Sequence, residues 1–154
     1  MAAVNAQTAS EKIVMPLKYG DKRLNIFGLK KPVIENTDGG IKISCRNDDS
    51  YLWHAVITYT FEKPVKAESV SFDFSQTQVG ELAAGGELET GVKIRQTLPN
   101  EGPAFTNYLV EFAAAASDSG ESFDNTPIKS VIIFFSVPPY LGDCVIEIKN
   151  WSVQ

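Results

Sequence analysis

The 154-residue chain is poor in the residues from which most catalytic and metal sites are built. It has one histidine, His54, and two cysteines, Cys45 and Cys144. A hydrolytic triad would need its imidazole at His54, which sits mid-run between Trp53 and Ala55. No G-x-S-x-G elbow is present to expose a nucleophile. The cysteines are too far apart for a C-x-x-C redox pair, and one histidine leaves a zinc site short of ligands. The glycine-rich "DGG" and "AGGE" lack the lysine and helix of a phosphate loop. Basic residues are also outnumbered, 14 Lys and Arg against 19 Asp and Glu, for a net charge of −5. That balance gives no general attraction for phosphate backbones or anionic membrane surfaces, so nucleic acid and membrane are not expected partners. No apolar run approaches the roughly 20 residues needed to span a bilayer. The opening "MAAVNAQTASEK" has neither the basic start nor the apolar core of a secretory signal. Residues 1–11 read instead as the flexible linker end of a domain cut from a longer protein.

What the chain does have is apolar alternation of period two along most of its length. "GIKISCR" places Ile41, Ile43 and Cys45 on one side and Lys42, Ser44 and Arg46 on the other. "ESVSFDFSQ", "GVKIRQTL", "TNYLVEFA", "KSVIIFFSV" and "DCVIEIKNWSV" alternate in the same way. Between them lie turn formers such as "NTDGG", "LPNEGP", "SDSGESFDNTP" and "VPPYLGD". About nine or ten strands at this spacing predict an all-β domain, a single antiparallel two-sheet β-sandwich (jelly roll) over residues 1–154. Val70, Phe72, Phe74, Val92, Ile94, Val131, Ile133, Phe135, Ile146 and Ile148 are its expected core. "ELAAGGELE" and "FAAAASDSG" are each expected to hold at most a helical turn, cut short by glycine. Cys45 and Cys144 fall on inward positions, either as buried thiols or as a disulfide that would suit an extracellular protein.

Candidate chemistry is sparse. Asp73, Glu111 and Glu147 lie on the polar faces of their strands, where acidic residues are ordinary and no catalytic pair is implied. "RNDDS" and "SDSGESFDN" are rich in the oxygen ligands that hard cations prefer. The chain is thus expected to need no cofactor, with room for a structural calcium. The remaining candidates are surface aromatics that could stack on the apolar faces of sugar rings, at Tyr51, Trp53, Phe105, Tyr140 and Trp151. Arg95, Asn107 and Glu111, projecting from strand faces, would serve the hydroxyls.

Two segments resemble the β-sandwich (jelly-roll) carbohydrate-binding modules appended to bacterial plant-polysaccharide hydrolases. "PIKSVIIFFSVPPYLGDCVIEIKNWSV" is similar to their last strand pair, and "WHAVITYTFEKPVKAESVSFDFS" to their central strands. The resemblance implies one concave sheet with a groove for a glucan chain. It also implies no catalytic activity, secretion, and attachment to a catalytic domain in the parent protein. This sequence has two tryptophans where such groove binders often show more.

The expected function is therefore non-catalytic binding of a plant cell-wall polysaccharide, a β-glucan chain, in an aromatic-lined groove. The site would use Tyr51, Trp53, Arg95, Glu111, Tyr140 and Trp151. The alternative is a protein–protein or adhesion module of a secreted or cell-surface protein. Strict alternation sends Trp53 to the apolar face, although the preceding "RNDDSY" turn would let it lie at the rim. The same alternation aligns Trp151 with Glu147 and Lys149 and directs it outward.

Overall fold

The computed structural model describes residues 11–140 and 142–154, so most of the expected linker end at 1–11 lies outside the described residues. Strands β1 (Ile13–Val14), β2 (Leu24–Phe27), β3 (Val33–Thr37) and β4 (Gly40–Arg46) come first in the chain. The long β5 (Trp53–Val65) is followed by β6 (Ser69–Gln76), β7 (Leu82–Leu88), β8 (Lys93–Leu98) and β9 (Thr106–Glu111). A 3-10 turn at Phe112–Ala114 leads to β10 (Ala116–Ser117), β11 (Ile128–Val137) and β12 (Asp143–Val153).

These strands form two antiparallel sheets. Sheet one runs β9-β6-β12-β4-β3, with β1 pairing to the end of β12, and sheet two runs β10-β8-β7-β11-β5-β2. The two-sheet sandwich is the architecture that the alternation predicts. In β6 the even positions Val70, Phe72, Phe74 and Gln76 are buried while the odd ones are half-buried. The sheets meet through such inward rows, as where the rings of Phe74 and Phe135 approach to 6.2 Å between centroids. Of the expected core residues all are buried except Val92, which precedes β8 and packs half-buried against the core. The β3–β4 hairpin turns through Asp38 and Gly39, and Gly39 takes φ +80°, where a side chain would be strained.

Two local expectations are corrected. "ELAAGGELE" holds strand β7, one of the two central strands of sheet two, with no helical turn. Leu82, Ala84, Gly86 and Leu88 face inward there, but alanine and glycine carry too little hydrophobic contrast for the period of two to show. The helical turn expected in "FAAAASDSG" does occur, as the 3-10 turn at Phe112–Ala114.

The second correction concerns Trp151, which points into the core with 0% exposure. Pairing of β12 with β6 runs Lys149 to Asp73 and then Ser152 to Ser71, so β12 holds one extra residue. Asn150 absorbs it at φ +54°, a conformation that asparagine tolerates better than most residues. This bulge inverts the alternation, so Ile146 and Ile148 face inward before it and Trp151 and Val153 after it.

Candidate ligand-binding groove

The outer face of sheet two is built in cross-strand rows. Phe27, Val56, Phe134, Ala83 and Thr97 are successive register partners across β2, β5, β11, β7 and β8. The adjacent row is Asn25, Thr58, Ile132, Gly85, Arg95 and Ala116. A third pairs His54 with Ser136. On the central strands the outward residues Ala83, Ile132 and Ser136 are buried, whereas Phe27 on the edge strand β2 is 60% exposed. The middle of the face is therefore a depression between higher edges.

Two clefts occupy it. One of about 610 Å³ is lined by residues that include His54, Val56, Glu81, Ala83, Arg95 and Phe134. The other, of about 420 Å³, includes Lys93, Arg95, Thr97, Asp118, Ile132 and Phe134. The floor is fixed by backbone ties, since Gly80 N–H donates to the Ser136 carbonyl at 2.8 Å and Glu81 N–H to Ser136 Oγ at 2.7 Å. Asn100 closes the far corner, donating from Nδ2 to the carbonyls of Val79 and Gly80 at 2.9 and 2.7 Å. The Arg95 guanidinium lies over the Phe134 ring, 5.0 Å from its centroid. Together these supply one aromatic face, a shallow apolar floor and polar groups at several points along the walls. Such a surface suits an elongated ligand with apolar faces and many hydroxyls.

The six expected site residues do not converge on this groove. Arg95 lies in it, but Glu111 ends β9 and projects from the outer face of the other sheet, so the two cannot share one ligand site. Trp53 is 5% exposed and Trp151 is fully buried, and neither offers a ring face to solvent. The Trp53 indole Nε1 donates to Asp49 Oδ2 at 2.9 Å, so the rim turn before β5 binds the polar edge of a ring that the core takes in. Trp151 Nε1 is buried and has no hydrogen-bond partner among the described residues.

Tyr51 and Tyr140 are exposed, at 55% and 67%. Their loops meet at one end of the sandwich, where the buried Asn47 side chain donates to the carbonyls of Tyr51 and Val137, both at 2.9 Å. The Asn47 carbonyl in turn accepts Tyr140 N–H at 2.9 Å. Sequence reasoning does not find Phe134, the groove's own ring. In "VIIFFSV" two adjacent phenylalanines must face opposite ways in a strand, and that is the signal that one of them is outward.

The loops considered for calcium use their carboxylates internally. Asp48 binds Arg46 at 2.8 Å, Asp49 binds Lys30 at 2.7 Å, Asp118 accepts Lys93 N–H at 3.1 Å, and Asp124 accepts Thr126 N–H at 3.1 Å. Among the described residues no three His, Cys, Asp or Glu gather as a metal site.

In three dimensions the chain is similar to solved carbohydrate-binding modules. A family 11 module of a cellulosomal cellulase from Clostridium thermocellum matches with TM-score 0.60 and 13% identity, over 94% of this chain and 95% of that one. The family 11 module was also solved with a β-1,3-1,4-mixed-linked tetrasaccharide, and that structure matches at TM-score 0.57 and 14% identity over 94% and 96%. A family 61 module in complex with β-1,4-galactotriose gives TM-score 0.59 and 12% identity over 86% and 88%. An exo-β-agarase matches at TM-score 0.62 and 11% identity, with 92% of this chain covering 25% of the enzyme. No protein-family model and no curated protein matches the chain. The likeness is one of fold: this is the β-sandwich that such modules share.

Proposed function

We propose that the protein binds a polysaccharide chain without cleaving it, in the depressed outer face of sheet two, and that a β-glucan is its ligand. The observation that carries this reading is the pair of adjoining clefts around Phe134, with Arg95 and Thr97 common to both. In this reading a pyranose ring stacks on Phe134. Arg95, Thr97, His54 and Glu81 exchange hydrogen bonds with its hydroxyls. A rigid sheet carries Phe134, Thr97 and His54 on its strands, so little backbone ordering is needed on binding. The modules of similar fold solved with a mixed-linked glucan fragment and with a galactan fragment lend support. The match to one quarter of an exo-β-agarase supports a role beside a hydrolase in a longer protein.

Affinity gel electrophoresis against mixed-linkage β-glucan, β-1,4-galactan and agarose tests the reading. The wild type should be retarded by the glucan, and Phe134→Ala should lose most of that retardation, as a central aromatic does when truncated. Retardation by galactan or agarose alone would keep the site and change the sugar. With no retardation by any of the three, the protein–protein or adhesion alternative takes precedence.

A further inference from the structure

The two clefts of sheet two adjoin at Arg95, Thr97 and Phe134, which line both. Arg95 projects from β8 and its guanidinium rests on Phe134 of β11, with β7 running between those strands. The outward residues of β7 at that point are Ala83 and Gly85, so the arginine spans a strand with almost no side chains. Gly85 could not be otherwise, because a Cβ there would collide with the Ile94 carbonyl oxygen.

Three other cations sit over rings among the described residues: Arg23 over Tyr59, Lys30 over Tyr51 and Lys149 over Phe105. Each also has a carboxylate within reach, Asp21 at 2.7 Å, Asp49 at 2.7 Å and Glu147 at 4.0 Å. The Arg95 side chain makes no salt bridge or hydrogen bond among the described residues, and only the ring holds it. An exposed cation–ring pair of this kind stabilises its stacked arrangement by about two- to fivefold in population. That is small enough for a ligand to displace.

We propose that Arg95 is a displaceable cover on the ring that the ligand needs. In the free protein its guanidinium occupies the Phe134 face. An entering saccharide takes that face, the arginine swings aside, and the two clefts join into one groove. The released fork of N–H donors then turns to the sugar hydroxyls. Only a ligand offering both an apolar face and nearby acceptors replaces what the stack gives up, so the cover acts as a filter on what binds. This rests on the polysaccharide-binding reading above.

The test is NMR of the Arg95 side chain in the whole protein. In the free state its methylene protons should be shifted upfield by the ring, and Phe134→Leu should return them to the position of an exposed arginine. Titration of wild type with the β-1,3-1,4-mixed-linked tetrasaccharide should move them to that same position. If the tetrasaccharide binds while the Arg95 protons stay ring-shifted, the cover is refuted and the binding reading stands. An unshifted Arg95 in the free protein also refutes the cover alone. Should glucan, galactan and agarose retard neither wild type nor Arg95→Ala, the binding reading fails and the cover fails with it.

Discussion

At Trp53 the indole ring belongs to the core while its Nε1 reaches Asp49 at the rim, and the same carboxylate binds Lys30 at 2.7 Å. Lys30 first and the indole second hold the Asp49 carboxyl below its ordinary value, against a smaller opposing effect of burial. A carboxylate whose value is lowered on folding stabilises the fold above its unfolded value, about 3.9, and that contribution is lost as pH falls through the lowered folded value. Asp49→Asn keeps an acceptor for the indole and removes only the charge. The variant should therefore melt below wild type at neutral pH, and the two should converge as the medium is taken well below about pH 4. Thermal melts at both ends of that range check it, and an equal gap at each would show that the ion pair contributes nothing. The tryptophans are the residues hardest to read in the sequence. Trp53 has the parity of a core residue and the neighbours of a turn residue, and only packing decides between them.

At the scale of the strand, alternation is legible wherever large and polar residues take turns, as in β6 and β4. It fails in two physically distinct ways. In the middle of β7, from Ala83 to Gly86, the inward and outward positions both hold small residues, so no contrast exists to read there. In β12 the contrast is strong but an asparagine in left-handed geometry shifts it by one, and everything after Asn150 changes face. Before that bulge the register is regular, and it sets Cys45 directly opposite Cys144 on neighbouring strands, both buried and both free thiols. Hydrogen bonding between them lowers the Cys45 thiol and, with burial, pushes that of Cys144 up. Directly opposed antiparallel residues have Cα atoms about 4.5–5.5 Å apart, inside the range a disulfide spans. A disulfide oxidant should therefore convert the pair to a bridge within one chain. Closing a loop of this length should raise stability by up to about 4–5 kcal/mol by the chain-entropy argument. Thiol titration of the denatured protein before and after oxidation, with a melt of each form, decides it. Two thiols persisting after oxidation would mean that the strands hold the sulfurs apart.

Across the whole molecule, the sandwich can be anticipated because it depends on many alternating positions at once, so one missed strand and one bulge leave it intact. The site is less legible, because it depends on which sheet each residue joins. Arg95 and Glu111 both look like polar residues on strand faces, yet strand order sends them to opposite surfaces of the protein. Phe134 and Phe135 make the same point at closest range. Phe135 is buried against Phe74 of the other sheet, and Phe134 is half-buried on the outer face under Arg95. Truncating Phe135 to alanine should cost about 3–5 kcal/mol of stability, as large-to-small changes in a packed core do. Truncating Phe134 should cost about 1 kcal/mol or less, since it strips only the outer face and leaves the interface between the sheets intact. Binding should divide the other way. Phe134→Ala should lose polysaccharide while staying folded, and Phe135→Leu, which keeps the core filled, should retain it. Urea unfolding and affinity electrophoresis on wild type and these variants separate the effects. Loss of binding in Phe135→Leu with none in Phe134→Ala would place the ligand away from the outer face of sheet two.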